Sequence, residues 1–261
     1  MNRDSKLGVA TLAVFSLGFA ITPTASADTL LFDRGLPTAN LNDGAGADRS
    51  NVAWGDNGPT SIGDNFTLGS GPNSYNISQI TVWVVDTSGT TPAANAYTLW
   101  LGADTKPGAA SNASVAAVTT STVVTPVTYA NGQTYQGQSG AFYPIYKVDF
   151  TGLNLAEAPG TYAFGVSGFS DSGLTTPYLS ASNGPLSGST QTGDDGIVYA
   201  FGASGNMDVA DGYPWASIGG WDKSSDINVQ VDGTAIPEPA SLTILGLGLA
   251  GLGAVLRRKQ A

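Results

Sequence analysis

Between Asp28 and Ala235 the chain alternates apolar and polar residues in short runs, the clearest being residues 77–85, ISQITVWVV. Successive side chains of a strand point to opposite faces. Ile80, Val82 and Val84 therefore share one face, and Thr81, Trp83 and Val85 the other. One face is strongly apolar and the other mixed, the signature of a strand packed on a core. Similar β-rich runs occur at 30–32, 65–68, 97–101, 115–124, 143–150, 161–166, 178–181, 197–201 and 227–231. Clusters of Gly, Pro, Asn, Asp and Ser separate them, as expected between strands. Apolar residues nowhere recur at i, i+3 and i+4 over ten residues, so helix should be almost absent here. The pattern predicts an all-β fold, a single jelly-roll-like β-sandwich of about ten strands. Long Gly-rich loops are expected at 43–50, 55–59, 184–195 and 202–218. Neither a repeat of fixed period nor a composition shift divides residues 28–235, so they are read as one domain.

The pattern changes at both ends. Arg3 and Lys6 precede an apolar run at 7–21, then Pro23 and the small triplet Ala25-Ser26-Ala27. A basic start, an apolar segment of this length and an A-x-A site predict a signal peptide over residues 1–27, cleaved between Ala27 and Asp28. Residues 236–261 open with Ile236-Pro237-Glu238-Pro239, continue into an apolar run at 242–256 (LTILGLGLAGLGAVL) and end in Arg257-Arg258-Lys259. As a helix that run is about 22 Å long, short of a hydrocarbon core of roughly 30 Å. With Ala240 and Ser241 included and the arginines snorkelling, it predicts a short transmembrane helix. The basic tip should stay cytoplasmic, leaving the body outside. Gly246, Gly248, Gly251 and Gly253 make the helix narrow and easy to unwind.

These residues carry a resemblance. Pro237-Glu238-Pro239, the Gly/Leu-rich stretch and the basic tip resemble the PEP-CTERM sorting signal of Gram-negative bacteria in order and spacing. The resemblance implies that exosortase, a membrane-embedded cysteine protease, cuts the tail near the Pro-Glu-Pro box. It also implies delivery to the cell surface or to an exopolysaccharide matrix after export by the Sec machinery. It covers about the last 26 residues and implies nothing about the body. The run DNFTL at 64–68, with ISQI after it, resembles openings of exported β-sandwich proteins only weakly and implies no activity.

Composition narrows the chemistry. The chain has no Cys and no His, which removes disulfides, thiolate metal sites and the usual general base. The body holds five Lys or Arg against eighteen acids, all but Glu157 being Asp. So acidic a surface repels phosphate backbones, so no nucleic-acid partner is expected. Most of these Asp are expected on turns, where the side chain bonds the local backbone. No G-x-S-x-G or phosphate loop occurs, and no acid pair stands out, so the chain is read as not an enzyme. Hard oxygen ligands on loops suit calcium, and Asp43, Asp48, Asp194, Asp195, Asp208 and Asp211 are candidates for a structural ion, with Asp56-Asn57 and Asp64 forming a further cluster. Trp54, Trp215 and Trp221, in or beside loops, are candidates for stacking on sugars, with burial in the core the competing role. Trp83 and Trp100 lie within strands and are expected to pack.

The function read from these features is an exported surface or matrix protein with a structural or adhesive role. A carbohydrate-binding module for exopolysaccharide is the alternative, and a glycan hydrolase stands third. The mature chain is expected to begin at Asp28. N-terminal sequencing of exported material checks this, and a start at Met1 rules out the signal peptide.

Overall fold

The computed structural model describes residues 27–36, 50–54, 61–70, 74–86, 92–105, 115–127, 135–136, 141–168, 177–182, 199–201, 226–236 and 248. Apart from a single 3₁₀ turn at Ala94–Ala96, the body within these residues is built from strands. In chain order they are β1 (Thr29–Arg34), β2 (Ser50–Trp54), β3 (Ser61–Leu68), β4 (Ser74–Asp86), β5 (Thr98–Ala103), β6 (Ala116–Val118), β7 (Ser121–Pro126) and β8 (Tyr135–Gln136). There follow β9 (Phe142–Tyr143), β10 (Ile145–Thr151), β11 (Leu155–Glu157), β12 (Gly160–Ser167), β13 (Pro177–Ser182), β14 (Tyr199–Phe201), β15 (Asp226–Ile227) and β16 (Val229–Ile236).

The alternating run expected at 77–85 is the heart of β4, which acts as the spine of a nine-stranded antiparallel sheet. Along one side it pairs with β16 from Ser74 to Val82 and with β13 from Val84 to Asp86. Along the other it pairs with β11 at 75–77 and with β10 at 80–85. The sheet runs β1-β16-β4-β10-β7, with β2, β11, β13 and β15 attached to this path. A second sheet of five strands runs β14-β3-β12-β5-β6.

The two sheets share one core. Ile80, Val82, Val84, Val148, Phe150, Val229 and Val231 come from the larger sheet, and Phe66, Leu68, Leu99, Leu101, Phe164 and Val166 from the smaller. Phe32 of β1 meets Phe66 of β3 across the gap, ring centroids 6.0 Å apart. The mixed face of β4 is covered as well. Trp83 and Val85 pack with Ile145 and with Tyr135 from β8, whose hairpin with β9 caps that end of the sheet. Trp83 is thus a packing residue, as expected. Trp100 is half-buried, and its indole N–H donates to Ser167 Oγ at 2.8 Å.

Several expectations need correction. About ten strands were expected and sixteen are described. The run 115–124 is two strands in different sheets, β6 and β7, with Thr119 and Thr120 carrying the chain across between them. The run 143–150 divides at Pro144, which has no N–H to give a ladder. The run 227–231 divides at Asn228, whose backbone N–H donates to Ser180 O at 2.9 Å and whose side chain serves the bonding described below. β2, β8 and β11 were not expected at all. The strand orders establish two packed antiparallel sheets, and jelly-roll connectivity is a narrower pattern than this. The predicted signal peptide up to Ser26 and the predicted sorting helix, Gly248 apart, lie outside the described residues.

One charged group sits between the sheets. Phe32 and Arg34 fall on the same, inward face of β1, and the Arg34 guanidinium lies 5.5 Å from the Phe32 ring centroid. Arg34 is fully buried, 3.4 Å from Asp64 of β3 and 3.5 Å from Asp226 of β15, which are also fully buried. Its Nε donates to Ile227 O at 2.9 Å, and Nη2 donates to Asn65 O. Asp64 accepts in addition from the Ile227 N–H at 2.7 Å and the Asn65 N–H at 2.6 Å. Beside it the Asn228 amide donates to Gly35 O and Ser182 Oγ and accepts from Ser180 Oγ. Asp64 was a weak calcium candidate and is instead a buried counter-ion on a strand. Replacing Arg34 by Ala strands two carboxylates in the core and is expected to cost about 3–5 kcal/mol. Urea unfolding at pH 7 measures it, and a loss below about 1 kcal/mol would mean the pair behaves like an exposed one.

Candidate functional site

The outward face of the larger sheet carries a polar row fixed by strand register. Asp33 pairs with Gln230, Gln230 with Thr81, Thr81 with Asp149, and Asp149 with Val123, crossing β1, β16, β4, β10 and β7. Directly opposed residues on a sheet point to the same face, so their side chains meet. Gln230 Nε2 donates to Asp33 Oδ1 at 2.9 Å, and the Thr81 hydroxyl donates to Asp149 Oδ1 at 2.6 Å. Lys147 lies 2.9 Å from the same Asp149 oxygen, and Gln79 Nε2 donates to it at 3.1 Å. In the neighbouring row, Asp232 stands opposite Gln79.

Asp232 holds its proton more tightly than an ordinary carboxyl. Partial burial is the main cause. Lys147 opposes it, while the Asp149, Asp28 and Asp33 carboxylates add repulsion. Near the start of β12, Tyr162 is pushed up to about 12, first by burial and then by the nearby Glu157 carboxylate. Its hydroxyl donates to Ala158 O at 2.7 Å.

Two clefts open among the described residues. One, of about 480 Å³, lies between β1 and β3 and is lined by Leu30, Leu31, Phe32, Asp33, Asn65, Thr67 and Gly69. The other, of about 400 Å³, follows the β6–β7 crossing and is lined mainly by hydroxyl and amide groups, Asn95, Thr98, Thr119, Thr120 and Thr122, beside Tyr97. Asp33 is the one carboxylate in either lining. Among the described residues no three His, Cys, Asp or Glu converge as a metal site.

The expected sites fare unevenly. Trp54 ends β2, its backbone paired with Tyr178 of β13, so it belongs to a strand. Trp215, Trp221, Asp43, Asp48, Asp194, Asp195, Asp208 and Asp211 lie outside the described residues. So do Ala25, Pro237, Glu238, Pro239, Arg257, Arg258 and Lys259. Ala27 is exposed, two residues before β1. The sequence reading missed the buried polar groups: Arg34 with Asp64 and Asp226, and Tyr199, whose hydroxyl accepts from Asn65 Nδ2 and donates to Asp104 Oδ2, each at 2.8 Å. The available signal was register. Asp64 shares its face of β3 with Phe66 and Leu68, just as Arg34 shares its face with Phe32, so opposite charges stand on two core-facing positions.

The raised pKa of Asp232 has a definite sign. The folded chain keeps a proton that an unfolded chain would release, so this group favours folding below its ordinary pKa of 3.8. That contribution fades as pH rises through the raised value. Asp232→Asn is therefore expected to melt higher than wild type at neutral pH and equally at about pH 3. Thermal unfolding at the two pH values checks it, and a lower melting point at neutral pH contradicts the assignment.

β16 ends at Ile236, paired with Ser74, and Pro237 follows directly. No curated protein and no solved structure matches this chain. One family model does: residues 235–259 match the PEP-CTERM protein-sorting motif. The chain carries that sorting signal on the strand that closes its central sheet, the mark of an exported protein that exosortase sorts through a transient membrane anchor to the cell surface.

Proposed function

We propose that the body is a non-catalytic structural or adhesive component of the extracellular matrix. It leaves the cell through the Sec machinery on the signal peptide of residues 1–27, and exosortase processing of residues 236–261 then delivers it. The observation that carries this reading is the sorting motif at 235–259, continuous with the last strand of a folded β-body. The absence of catalysis is part of the proposal. Glycoside hydrolysis uses two carboxyls across a sugar ring, and the described clefts offer Asp33 by itself. Changing Pro237, Glu238 and Pro239 to Ala is expected to leave full-length protein in the inner membrane of an exosortase-positive host. Equal surface delivery of variant and wild type, followed by fractionation and blotting, would refute the sorting assignment.

A second reading, a carbohydrate-binding module for exopolysaccharide, has the hydroxyl-lined cleft at the β6–β7 crossing in its favour. Its aromatic candidates are Trp54, Trp215 and Trp221. If they form a sugar platform, Trp→Ala at each site abolishes retention on host exopolysaccharide while leaving the melting temperature unchanged. If they are core residues, each change costs about 3–5 kcal/mol, and retention is nil already in wild type. A structural calcium ion in this body would raise its melting temperature, and thermal unfolding with and without a chelator tests it.

A further inference from the structure

The two ends of the body leave it at one place. β1 and β16 are antiparallel neighbours, with Thr29 opposite Gly233 and the Thr29 hydroxyl donating to Gly233 O at 3.2 Å. The first strand thus starts beside the finish of the last. The same pole holds the start of β4, where Ser74 pairs with Ile236, and the turn from β11 to β12, where Glu157 pairs with Tyr75. Tyr75 ties in the end of β3 by donating to Gly69 O at 2.7 Å.

Tether lengths make this arrangement decisive. Residues 237–241 separate Ile236 from the apolar run that starts at Leu242, and residues 22–27 separate Asp28 from the apolar run that ends at Ile21. Fully extended, these spacers reach about 21 Å and about 24 Å. The headgroup layer they must cross is about 5–8 Å deep on each side. β4 has 13 residues, and at about 3.3 Å each it spans roughly 43 Å from pole to pole. Ends leaving opposite poles would leave one spacer far too short to reach lipid. Ends leaving the same pole let both reach it without disturbing a strand.

The sheet also forbids giving ground at the tail. β16 lies between β1 and β4, and at its irregularity a Cβ on Gly233 would sit 2.2 Å from Asn76 O, so the two backbones are in intimate contact there. Drawing residues before Ile236 into a protease would open the middle of the sheet. Pro237, having no N–H, cannot extend the ladder, so it is the first residue free of that constraint. The pole has the surface for such a position. Of the four large apolar side chains exposed among the described residues, Leu30 and Ile236 belong to it.

We propose that the pole where β1 begins and β16 ends is the face this protein turns to the inner-membrane bilayer, that the body folds there while both ends are still held in lipid, and that exosortase cuts a folded protein at or beyond Pro237. This rests on reading residues 1–27 as a signal peptide and residues 236–261 as the sorting tail.

The chain has no cysteine, so an engineered pair forms a single defined disulfide. The Asp33 and Gln230 side chains already touch across β1 and β16, and directly paired strand positions suit disulfide geometry. The Asp33→Cys/Gln230→Cys double variant of the full chain is produced in hosts with and without exosortase and followed on non-reducing gels. The disulfide is expected to form in the uncut, membrane-held chain, and the oxidised chain is expected to be trimmed at the wild-type rate. A disulfide that appears only after cutting overturns the proposal, as does an oxidised chain that resists cutting while both single-cysteine variants are cut. Wild type left uncut by exosortase overturns the sorting reading itself, an outcome visible before the variants are compared. A second arm places a dye on Ala158→Cys at this pole or on Thr125→Cys at the other, both exposed sites, in the tethered chain. A headgroup-attached quencher is expected to dim the Ala158 dye and spare the Thr125 dye, and equal or reversed quenching overturns the orientation.

Discussion

Arg34 is a cation enclosed between two sheets, and the arrangement around it follows from the need to keep that charge solvated by protein. Burying an ion costs several kcal/mol unless partners replace the lost water. Here the replacements come from both layers: Asp64 and the Asn65 carbonyl from the smaller sheet, Asp226 and the Ile227 carbonyl from the larger. Apolar side chains tolerate small slips of one layer over another, whereas a guanidinium with directional partners in each layer does not. The triad therefore sets alignment more than it adds net stability. The break at Asn228 belongs to the same arrangement, since Asp226 and Asn228 face buried partners just before β16 resumes the apolar alternation.

A second constraint is topological. The strand flanked by β1 and β4 in the large sheet is the last of the described strands in chain order, and its bond to the first spans 204 positions. Long-range pairing closes late and slowly, because the entropy of a long loop must be overcome first. Until β16 arrives, one side of β4 and the inner side of β1 are open edges, the sort of surface that recruits other chains. A chain with this order gains from being held apart from its copies until its end has emerged, and attachment to a membrane does that.

What could be read from sequence depended on how local each signal was. The sorting tail was legible because box, apolar run and basic tip follow one another within 26 residues. The spine strand was legible because Ile80, Val82 and Val84 alternate without interruption. β2 was not: Ser50-Asn51-Val52-Ala53-Trp54 has little strand character of its own and is held by pairing with β13, more than a hundred residues away. The roles of Asp64 and Asp226 were missed because Asp usually serves turns, and its use as a buried counter-ion becomes visible only when Arg34 arrives from another strand. Apart from Trp54 on β2, the sugar and calcium candidates stand on long Gly-rich stretches, where neither periodicity nor register supplies an argument.

The shared exit pole also determines how the body carries mechanical load. A pull between its own two ends acts across the β1–β16 ladder and opens it one pair at a time, like a zipper. A pull between Ile236 and anything grasping the opposite pole runs along β16 instead, loading its bonds to β1 and β4 together. The same fold is therefore weak between its termini and stiff between its anchor and a distant partner.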